Sequence, residues 1–484
     1  MAKSKPTLFW YDFETSGIDP QRDRIFQVAG LRTNFDLEVV SDPVNIFCKP
    51  TEDFLPHPQA CLVTGITPQL ADEKGVSETE FCHQLSKQLM QSETCTIGYN
   101  SLSFDDEFTR NLMYRNLRDP YAREWQNGNS RWDLIDVVRS AYTLRPDGIQ
   151  WPVHEDGNPS FRLEDLSKAN NIEHSQAHDA LADVYATIAI AKLVRDKQPK
   201  LYQYLFSHRS KDSVFKLLSF MDPKPVMYIS SFIPASKGCM TMVYPIASHP
   251  SNKNSIIVYD LQQDPREFLQ LDKQEMKALL FTSKKDLAEG KKRLPIQLIQ
   301  ANKCPVLVPL NTINEETKQR FDIDMQQCLH HATILQAADE FRKLVPELYD
   351  QQEYPSSGEV IDPELAIYSG GFFSNDDRVR MNKLHYMTPD QLSQSMHFDD
   401  PRIQEMLLRY RARNYPDLLD DNDKRRWTHY CRERLSGADS SGALTFSEFE
   451  KAICDQKETN NLTDSQLHIL DQLQSWGNSI TTGL

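Results

Sequence analysis

The chain has 484 residues, of which 39% are hydrophobic and 10% aromatic, and its 54 Lys and Arg against 69 Asp and Glu give a formal net charge of −15. This length exceeds what one hydrophobic core supports and predicts about three domains. Because the sequence shows no signal-peptide core, no apolar run of membrane length and no Cys-x-x-Cys pair among its nine cysteines, we expect a cytoplasmic protein without a membrane segment, whose metal, if any, binds oxygen ligands.

The negative net charge argues only weakly against nucleic-acid binding. Phosphate contacts need clustered cations, but a protein can confine its basic groups to one groove and carry acids elsewhere. The distribution of charge therefore matters more than its sum.

The first predicted element is a buried strand in the run TLFWYDFETSG at residues 7–17. Strand side chains alternate, so Asp12 and Glu14 project from one face while Tyr11 and Phe13 point to the other. Two carboxylates in one small space need a shared proton or a divalent cation. The alternative is a strand end whose acids face solvent.

Further elements follow in the amino-terminal segment. Alternating patterns predict strands at 24–32, 44–48 and 96–100, and four-residue apolar spacing predicts a helix at 77–90. A helix is also predicted at 103–115. Asp105 lies near its start, where an acid can equally serve as an N-terminal cap.

The last acidic motif of this segment is His178-x-x-x-x-Asp183, which leads into a strongly helical run. On one continuous helix these two residues would lie about 140° apart and could not share a face. If His178 instead lies in the preceding loop, with Asp179 as the helix cap, its ring can reach the site that Asp183 faces. A solvated histidine and aspartate remain the alternative.

Beyond about residue 200 the pattern changes to short β-rich runs that predict a small barrel with a helical insert at 265–281. Helices resume near 315, a Pro-Ser-Ser-Gly cluster at 355–358 suggests a linker, and the remainder is helical. The predicted domains are therefore 1–196, 199–352 and 355–484.

Four acids and a histidine in this order, Asp12 and Glu14, then Asp105, then His178 and Asp183, resemble the three motifs of the DEDDh exonuclease superfamily. Within that superfamily, the chain length, the Phe104-Asp105-Asp106-Glu107 motif and the insertion that follows it resemble the bacterial exodeoxyribonuclease I family. This resemblance extends over nearly the whole chain.

The resemblance implies an α/β fold: an RNase-H-like exonuclease domain, an SH3-like β-barrel domain and an all-helical carboxy-terminal domain. It implies digestion of single-stranded DNA from the 3′ end to 5′-mononucleotides, in DNA repair and recombination. It also implies two Mg²⁺ ions, for which Mn²⁺ could substitute, and a partner, the single-stranded-DNA-binding protein, which docks through its acidic tail. A chain that wraps one strand is expected to work as a monomer.

The resemblance also assigns roles to the motif residues. Asp12, Glu14, Asp105 and Asp183 would hold the two metal ions, and His178 would take the proton from the attacking water. Glu14 would also contact the substrate.

Other residues are candidate contacts to the DNA strand. Arg162, before a helix, could clamp the scissile phosphate, although a surface arginine beside two acids is an equally plain interpretation. Cations and flat rings that could grip a single strand are Arg110, Tyr121, Trp125 and Arg139, with core packing as the alternative for the aromatic pair. Asn254 lies in a predicted turn that could reach a passing strand.

Two other functions remain open at this stage. A ribonuclease T-like or proofreading 3′→5′ exonuclease would have the same motifs but does not need the roughly 290 residues after the catalytic segment. A non-catalytic single-strand-binding adaptor is the alternative from another class of protein, but it would have no reason to retain the acids and His178.

Overall fold

The structure, a computed structural model, describes residues 5–174, 179–283, 285–350, 362–392, 396–439, 441–459 and 462–483. The chain divides into two compact units. Unit 1 comprises residues 1–130, 174–188 and 357–484, and unit 2 comprises residues 131–173 and 189–356. Among the helices of these described residues, none is both long and apolar enough to cross a membrane.

The strands are β1 Thr7–Thr15, β2 Ile25–Thr33, β3 Val44–Phe47, β4 Thr94–Gly98, β5 Ser130–Asp133, β6 Val226–Ile229, β7 Met240–Ser248, β8 Ser255–Asp260, β9 Ile296–Gln300 and β10 Val306–Val308. The helices before the second sheet are α1 Pro58–Thr64, α2 Pro68–Lys74, α3 Glu78–Leu89, α4 Asp105–Arg115, α5 Leu134–Leu144, α6 Leu163–Ala169, α7 Ala180–Lys197, α8 Pro199–Ser207 and α9 Lys211–Leu217. The later helices are α10 Lys273–Phe281, α11 Glu315–Arg320, α12 Met325–Ala337, α13 Asp339–Glu347, α14 Asn375–Leu384, α15 Pro389–Leu392, α16 Pro401–Asn414, α17 Asp421–Ser436, α18 Phe446–Lys457 and α19 Asp464–Gly483.

The sheet of unit 1 is built around β1. This strand pairs antiparallel with β2 and parallel with β4, and β3 extends the sheet beyond β2. Every residue of β1 is buried except Asp12, which is half-buried. The predicted strand at 96–100 lies two residues earlier, because Asn100 adopts the left-handed conformation (φ 63°) that ends the extended run and turns the chain towards α4.

Helices cover β1 because its outward side chains are large and apolar. On one face Phe9, Tyr11 and Phe13 pack against the Phe81 and Leu85 row of α3. The predicted helix at 77–90 is confirmed, and its Ser77 cap accepts a hydrogen bond from the backbone N–H of Glu80.

The carboxy-terminal helices pack against the sheet of unit 1 at β2. Phe26 and Phe54 share one hydrophobic core with Phe449, Leu470 and Leu473 of α18 and α19. A second core joins residues of α4 and the turn that follows it to α14 and α16. These helices therefore complete the hydrophobic core around the amino-terminal segment.

A buried charge cluster links the same two parts of the chain. Arg413 on α16 pairs with Asp53 (2.9 Å) and Glu364 (2.6 Å), and Arg24 also reaches Asp53 (3.3 Å). Burial alone would raise the pKa of Glu364, but Arg413 and Arg409 outweigh burial and lower that pKa to about 2. The carboxylates in this cluster are therefore charged at neutral pH and held by arginine.

Unit 2 contains a five-stranded antiparallel sheet in the order β10-β6-β7-β8-β9. Its core is mainly aliphatic and includes Val226, Val243, Ile256 and Ile299. The predicted insert at 265–281 is confirmed as a short 3₁₀ helix followed by α10, which starts with a capping box between Asp272 and Glu275. The predicted small β-rich region is therefore present, whereas the predicted domain boundaries stay a prediction.

Candidate active site

The first two candidate ligands lie on β1, as the strand alternation predicts. Asp12 and Glu14 share a face, and Glu14 is 7% exposed. The pairing of β1 with β2 shifts register between Glu14 and Thr15, and such irregularities re-aim side chains at the end of a strand. The two carboxylates are thus held on a rigid, buried strand.

Asp183 reaches the same place from the first turn of α7. The predicted cap of this helix is confirmed, because the side chain of Asp179 accepts a hydrogen bond from the N–H of Ala182 at 3.0 Å. Carboxylate oxygens of Asp12, Glu14 and Asp183 lie within 4.8 Å of one another. The fold therefore brings Asp183 next to two acids of the distant strand β1.

Asp105 is adjacent to this cluster but is not one of the three. It is the first residue of α4, and Phe104 occupies the N-cap position that the alternative interpretation gave to Asp105. Its Oδ1 accepts a hydrogen bond from the backbone N–H of Phe13, between the two β1 acids, at 3.1 Å. The carboxyl is therefore attached to β1.

The electrostatics show how crowded these groups are. Burial first, and then the charges of Asp105, Glu14 and Asp183, raise the pKa of Asp12 well above its ordinary value. Burial and the charges of Asp183 and Asp105 likewise raise the pKa of Glu14 to about 9. Without a cation, the site would retain protons that ordinary carboxylates lose near pH 4.

The donor set fits a divalent metal ion. All three groups offer hard carboxylate oxygens, the ligands that Mg²⁺ and similar ions prefer, and their spacing lets one ion contact several of them. A bound dication would also relieve the mutual repulsion that raises the pKa values. The residues of this chain therefore match divalent metal binding.

Two histidines of the sequence bear on this site. His178 lies outside the described residues. His174, four positions earlier, was missed, and its Nε2 contacts Oδ1 of Asp183. The signal that the sequence offered for it was a second histidine four residues before His178.

The residues of unit 1 that are candidate contacts to a DNA strand have different environments. The Arg110 side chain is 5% exposed and pairs with Glu107 (2.7 Å) and Glu124 (2.8 Å), so its charge is already balanced. Its guanidinium lies 5.4 Å from the ring centre of Tyr121. Trp125, in contrast, is 65% exposed, so a stacking base could reach its ring.

Tyr121 and Trp125 line a cleft of about 590 Å³ within unit 1. Two further aromatic residues, Phe372 and Phe373, contribute to its wall, and arginine side chains also line it. Exposed rings together with cations are the usual surface for single-stranded nucleic acid.

The remaining candidates belong to unit 2. Arg139 on α5 pairs with Asp136 at 2.8 Å, and Asn254, in the turn before β8, accepts a hydrogen bond from Lys211 at 2.5 Å. Arg162 is exposed and immediately precedes α6, as predicted. Their roles stay predictions.

Comparison with known proteins places this geometry in context. A model of the family described as "Exonuclease" matches residues 9–191, "Exonuclease I SH3-like domain" matches 209–351, and "Exonuclease I C-terminal domain" matches 361–480. With the sheet and the carboxylate cluster, these matches define an exonuclease, a hydrolase of phosphodiester bonds. They also confirm the predicted fold class, an α/β nuclease fold followed by an SH3-like and a helical domain.

Relatives identify the family more narrowly. The chain is 41% identical to exodeoxyribonuclease I of Haemophilus influenzae over 473 residues, which cover 97% of this chain and 98% of the relative. It is 43% identical to the Escherichia coli exodeoxyribonuclease I over 89% of this chain and 90% of the relative. The crystal structure of E. coli exonuclease I with a dA16 oligonucleotide matches with a TM-score of 0.92 at 40% identity, covering 98% of this chain and 100% of that chain. The chain belongs to the exodeoxyribonuclease I family.

Crowding of the carboxylates predicts the behaviour of Glu14→Gln. In the metal-free folded state the pKa of Glu14 is raised to about 9, whereas an unfolded glutamate titrates near pH 4.5, so stability falls as the pH rises between these values. At about pH 8.5 with EDTA, we expect Glu14→Gln to raise the melting temperature by at least about 2 °C. The gain in melting temperature on adding Mg²⁺ should shrink in the variant. Differential scanning fluorimetry measures both.

The matched control is Glu73→Gln, an exposed position on α2. It should change neither the metal-free melting temperature nor the response to Mg²⁺. A lower metal-free melting temperature for Glu14→Gln than for the wild type would contradict the electrostatic account.

Proposed function

We propose that this protein is a divalent-metal-dependent 3′→5′ exonuclease that digests single-stranded DNA to 5′-mononucleotides and serves in DNA repair and recombination. The observation that carries the proposal is the cluster of Asp12, Glu14 and Asp183, with Asp105 beside it, in a chain that belongs to the exodeoxyribonuclease I family. The E. coli relative crystallised with dA16 supports single-stranded DNA as the substrate class.

The chain's own residues would act as follows. Asp12, Glu14 and Asp183, with Asp105 directly or through water, would hold two divalent cations, and Glu14 would also contact the substrate. Bound cations would polarise the scissile phosphate and neutralise charge on the attacking and leaving oxygens. His178 would accept the proton of the attacking water as a general base. Arg162 would pair with the phosphate.

Mg²⁺ is the proposed cation, and Mn²⁺ should substitute for it. An all-carboxylate site with room for several ligands suits both ions. A zinc-bound complex of E. coli exonuclease I with single-stranded DNA, 40% identical with a TM-score of 0.90, supports the general capacity of such a site for divalent metal.

The strand itself would be held by stacking and by phosphate contacts. Trp125 and Tyr121 offer rings along the cleft in unit 1, whereas Arg110 is buried in ion pairs and would act mainly by holding Tyr121. Arg139 and Asn254 are proposed as further contacts from unit 2. The protein is proposed to act as a monomer in the cytoplasm.

Digestion of a 5′-labelled oligonucleotide tests the proposal. With Mg²⁺ the wild type should give a ladder that shortens from the 3′ end of single-stranded DNA, and EDTA should abolish it. Asp183→Asn removes one ligand charge and should lower kcat at least about 100-fold, because losing a ligand costs more than losing an outer partner. Gel analysis of single-stranded DNA, duplex DNA and RNA in parallel gives the rates.

Asp196→Asn is the matched control, since Asp196 lies on the same helix with a side chain that is 63% exposed. It should retain wild-type rates. Tight binding without digestion would point to an adaptor, and trimming of RNA alone would place the protein with the ribonucleases.

Trp125→Ala tests the proposed stacking surface. Loss of one base–aromatic stack of at least about 1 kcal/mol should raise KM for long single-stranded DNA about 5-fold or more. The melting temperature should stay unchanged, because the ring is 65% exposed. Tyr386→Ala, at a residue that is 90% exposed, is the control and should leave KM at the wild-type value. Equal KM values for both variants would remove Trp125 from the strand-binding surface.

The acidic tail of the single-stranded-DNA-binding protein is proposed to dock on this chain. Support comes from a crystal structure described as SSB/Exonuclease I with the inhibitor CFAM, which matches with a TM-score of 0.87 at 39% identity. A fluorescent peptide of that tail should bind in an anisotropy titration and weaken as salt rises. A peptide with its acids replaced by amides is the control, and equal binding of the two peptides would count against docking through charge.

A further inference from the structure

A buried network joins α4 to β1 on the side opposite the carboxylate cluster. Tyr11 follows the strand alternation and points away from Asp12, and its hydroxyl donates a hydrogen bond to Oδ1 of Asp106 at 2.7 Å. Arg123 donates to the same oxygen at 2.5 Å. The carboxylate of Asp106 therefore accepts hydrogen bonds from a tyrosine hydroxyl and from a guanidinium group.

Asp106 is the neighbour of Asp105, and the two residues attach α4 to β1 at separate points. Asp105 accepts the N–H of Phe13, and Asp106 accepts the hydroxyl of Tyr11. Two attachments fix both the position and the rotation of the first turn of α4, which one attachment could not do. The position of the Asp105 carboxyl relative to Asp12 and Glu14 thus depends on Asp106.

The burial of this network indicates that it fixes the relative positions of α4 and β1. The side chains of Arg123 and Asp106 are each 2% exposed. A buried ion pair contributes little net stability compared with well-packed apolar residues, because removing two charges from water is costly. The directional bonds of such a pair do set the relative positions of the elements they join.

Arg123 also ties in the segment that carries the stacking residues. It lies in the 3₁₀ helix Ala122–Glu124, between Tyr121 and Trp125. Glu124 of the same turn pairs with Arg110 on α4. The segment from Tyr121 to Trp125, which would contact the DNA strand, is therefore bound to α4, the helix that carries Asp105.

We propose that Asp106 and Arg123, together with the Tyr11 hydroxyl, are positioning residues that set Asp105 against the carboxylates of Asp12 and Glu14. None of the three is proposed to touch the metal or the reacting phosphate. The inference rests on the proposed function in treating this carboxylate cluster as the metal site.

Tyr11→Phe and Asp106→Asn test the network. Tyr11→Phe removes one hydroxyl and keeps the ring, and we expect it to raise the half-saturating Mg²⁺ concentration at least about 3-fold and to lower kcat. Asp106→Asn should weaken metal binding about 10-fold or more, as loss of an outer partner does elsewhere. Mn²⁺ binding, followed by electron paramagnetic resonance without DNA, gives a readout independent of activity. KM for DNA should change less than kcat in Tyr11→Phe.

Two matched controls separate positioning from stability. Tyr410→Phe removes another tyrosine hydroxyl of unit 1, which bonds to Thr79 at 2.7 Å. Glu78→Gln weakens a buried pair with Arg115, at the opposite end of α4. Both controls should lower the melting temperature without changing Mn²⁺ affinity.

The outcomes are distinct. If Tyr11→Phe and Asp106→Asn lower the melting temperature as the controls do, with wild-type Mn²⁺ affinity and kcat, the positioning role is overturned. If Asp106→Asn does not fold, Tyr11→Phe decides alone. If the wild type binds Mn²⁺ but digests no nucleic acid, the proposed function fails, and the Mn²⁺ titrations still decide whether the network positions the site.

Discussion

Repulsion among carboxylates is the constraint on which the candidate active site in unit 1 depends. Oxygens of Asp12, Glu14 and Asp183 lie within 4.8 Å of one another. Burial, and after it the charges of the neighbouring carboxylates, raise the pKa of Asp12 and of Glu14. Such a cluster persists only where the surrounding structure holds it. Here a strand buried on both faces carries two of the acids, so neither can move away from the other.

Two helix amino termini partly offset this repulsion. Asp105 is the first residue of α4, and Asp183 lies in the first turn of α7. Both places lie at the positive end of a helix dipole, which favours a carboxylate. The strand thus supplies rigidity, while the helices supply a partly compensating field and bring in acids from far along the chain.

Local rules of strand and helix geometry account for much of the site. Strand alternation placed Asp12 and Glu14 on one face, and cap chemistry identified Asp179. That Asp183 and Asp105 approach these acids could not follow from spacing. Their place came from the order of the motifs and the likeness to a nuclease family, and the structure shows the approach itself for Asp183.

Residues whose partners are distant in sequence were the ones that pattern reasoning missed. Arg110 is a candidate contact to the DNA strand on sequence grounds, yet its guanidinium pairs with two glutamates, one of them 14 positions away. The bond between Tyr11 and Asp106 spans 95 positions, and no periodicity encodes such a pair. Helix ends shift for a similar reason, since Phe104 rather than Asp105 takes the cap position once Asp105 is attached to β1.

The Arg413 cluster bears on how separable the parts of this protein are. Family models divide the sequence near residues 191 and 361, yet Asp53 of the first part and Glu364 of the last share one guanidinium, and Phe54 shares a core with Phe449. A fragment ending at residue 191 would retain Asp53 without Arg413 and would expose an apolar surface. The segments recognised as separate in sequence are therefore not separate as folding units. Exchanging the last helices between relatives would also require the exchange of Asp53 and Phe54, which are the partners of Arg413 and Phe449.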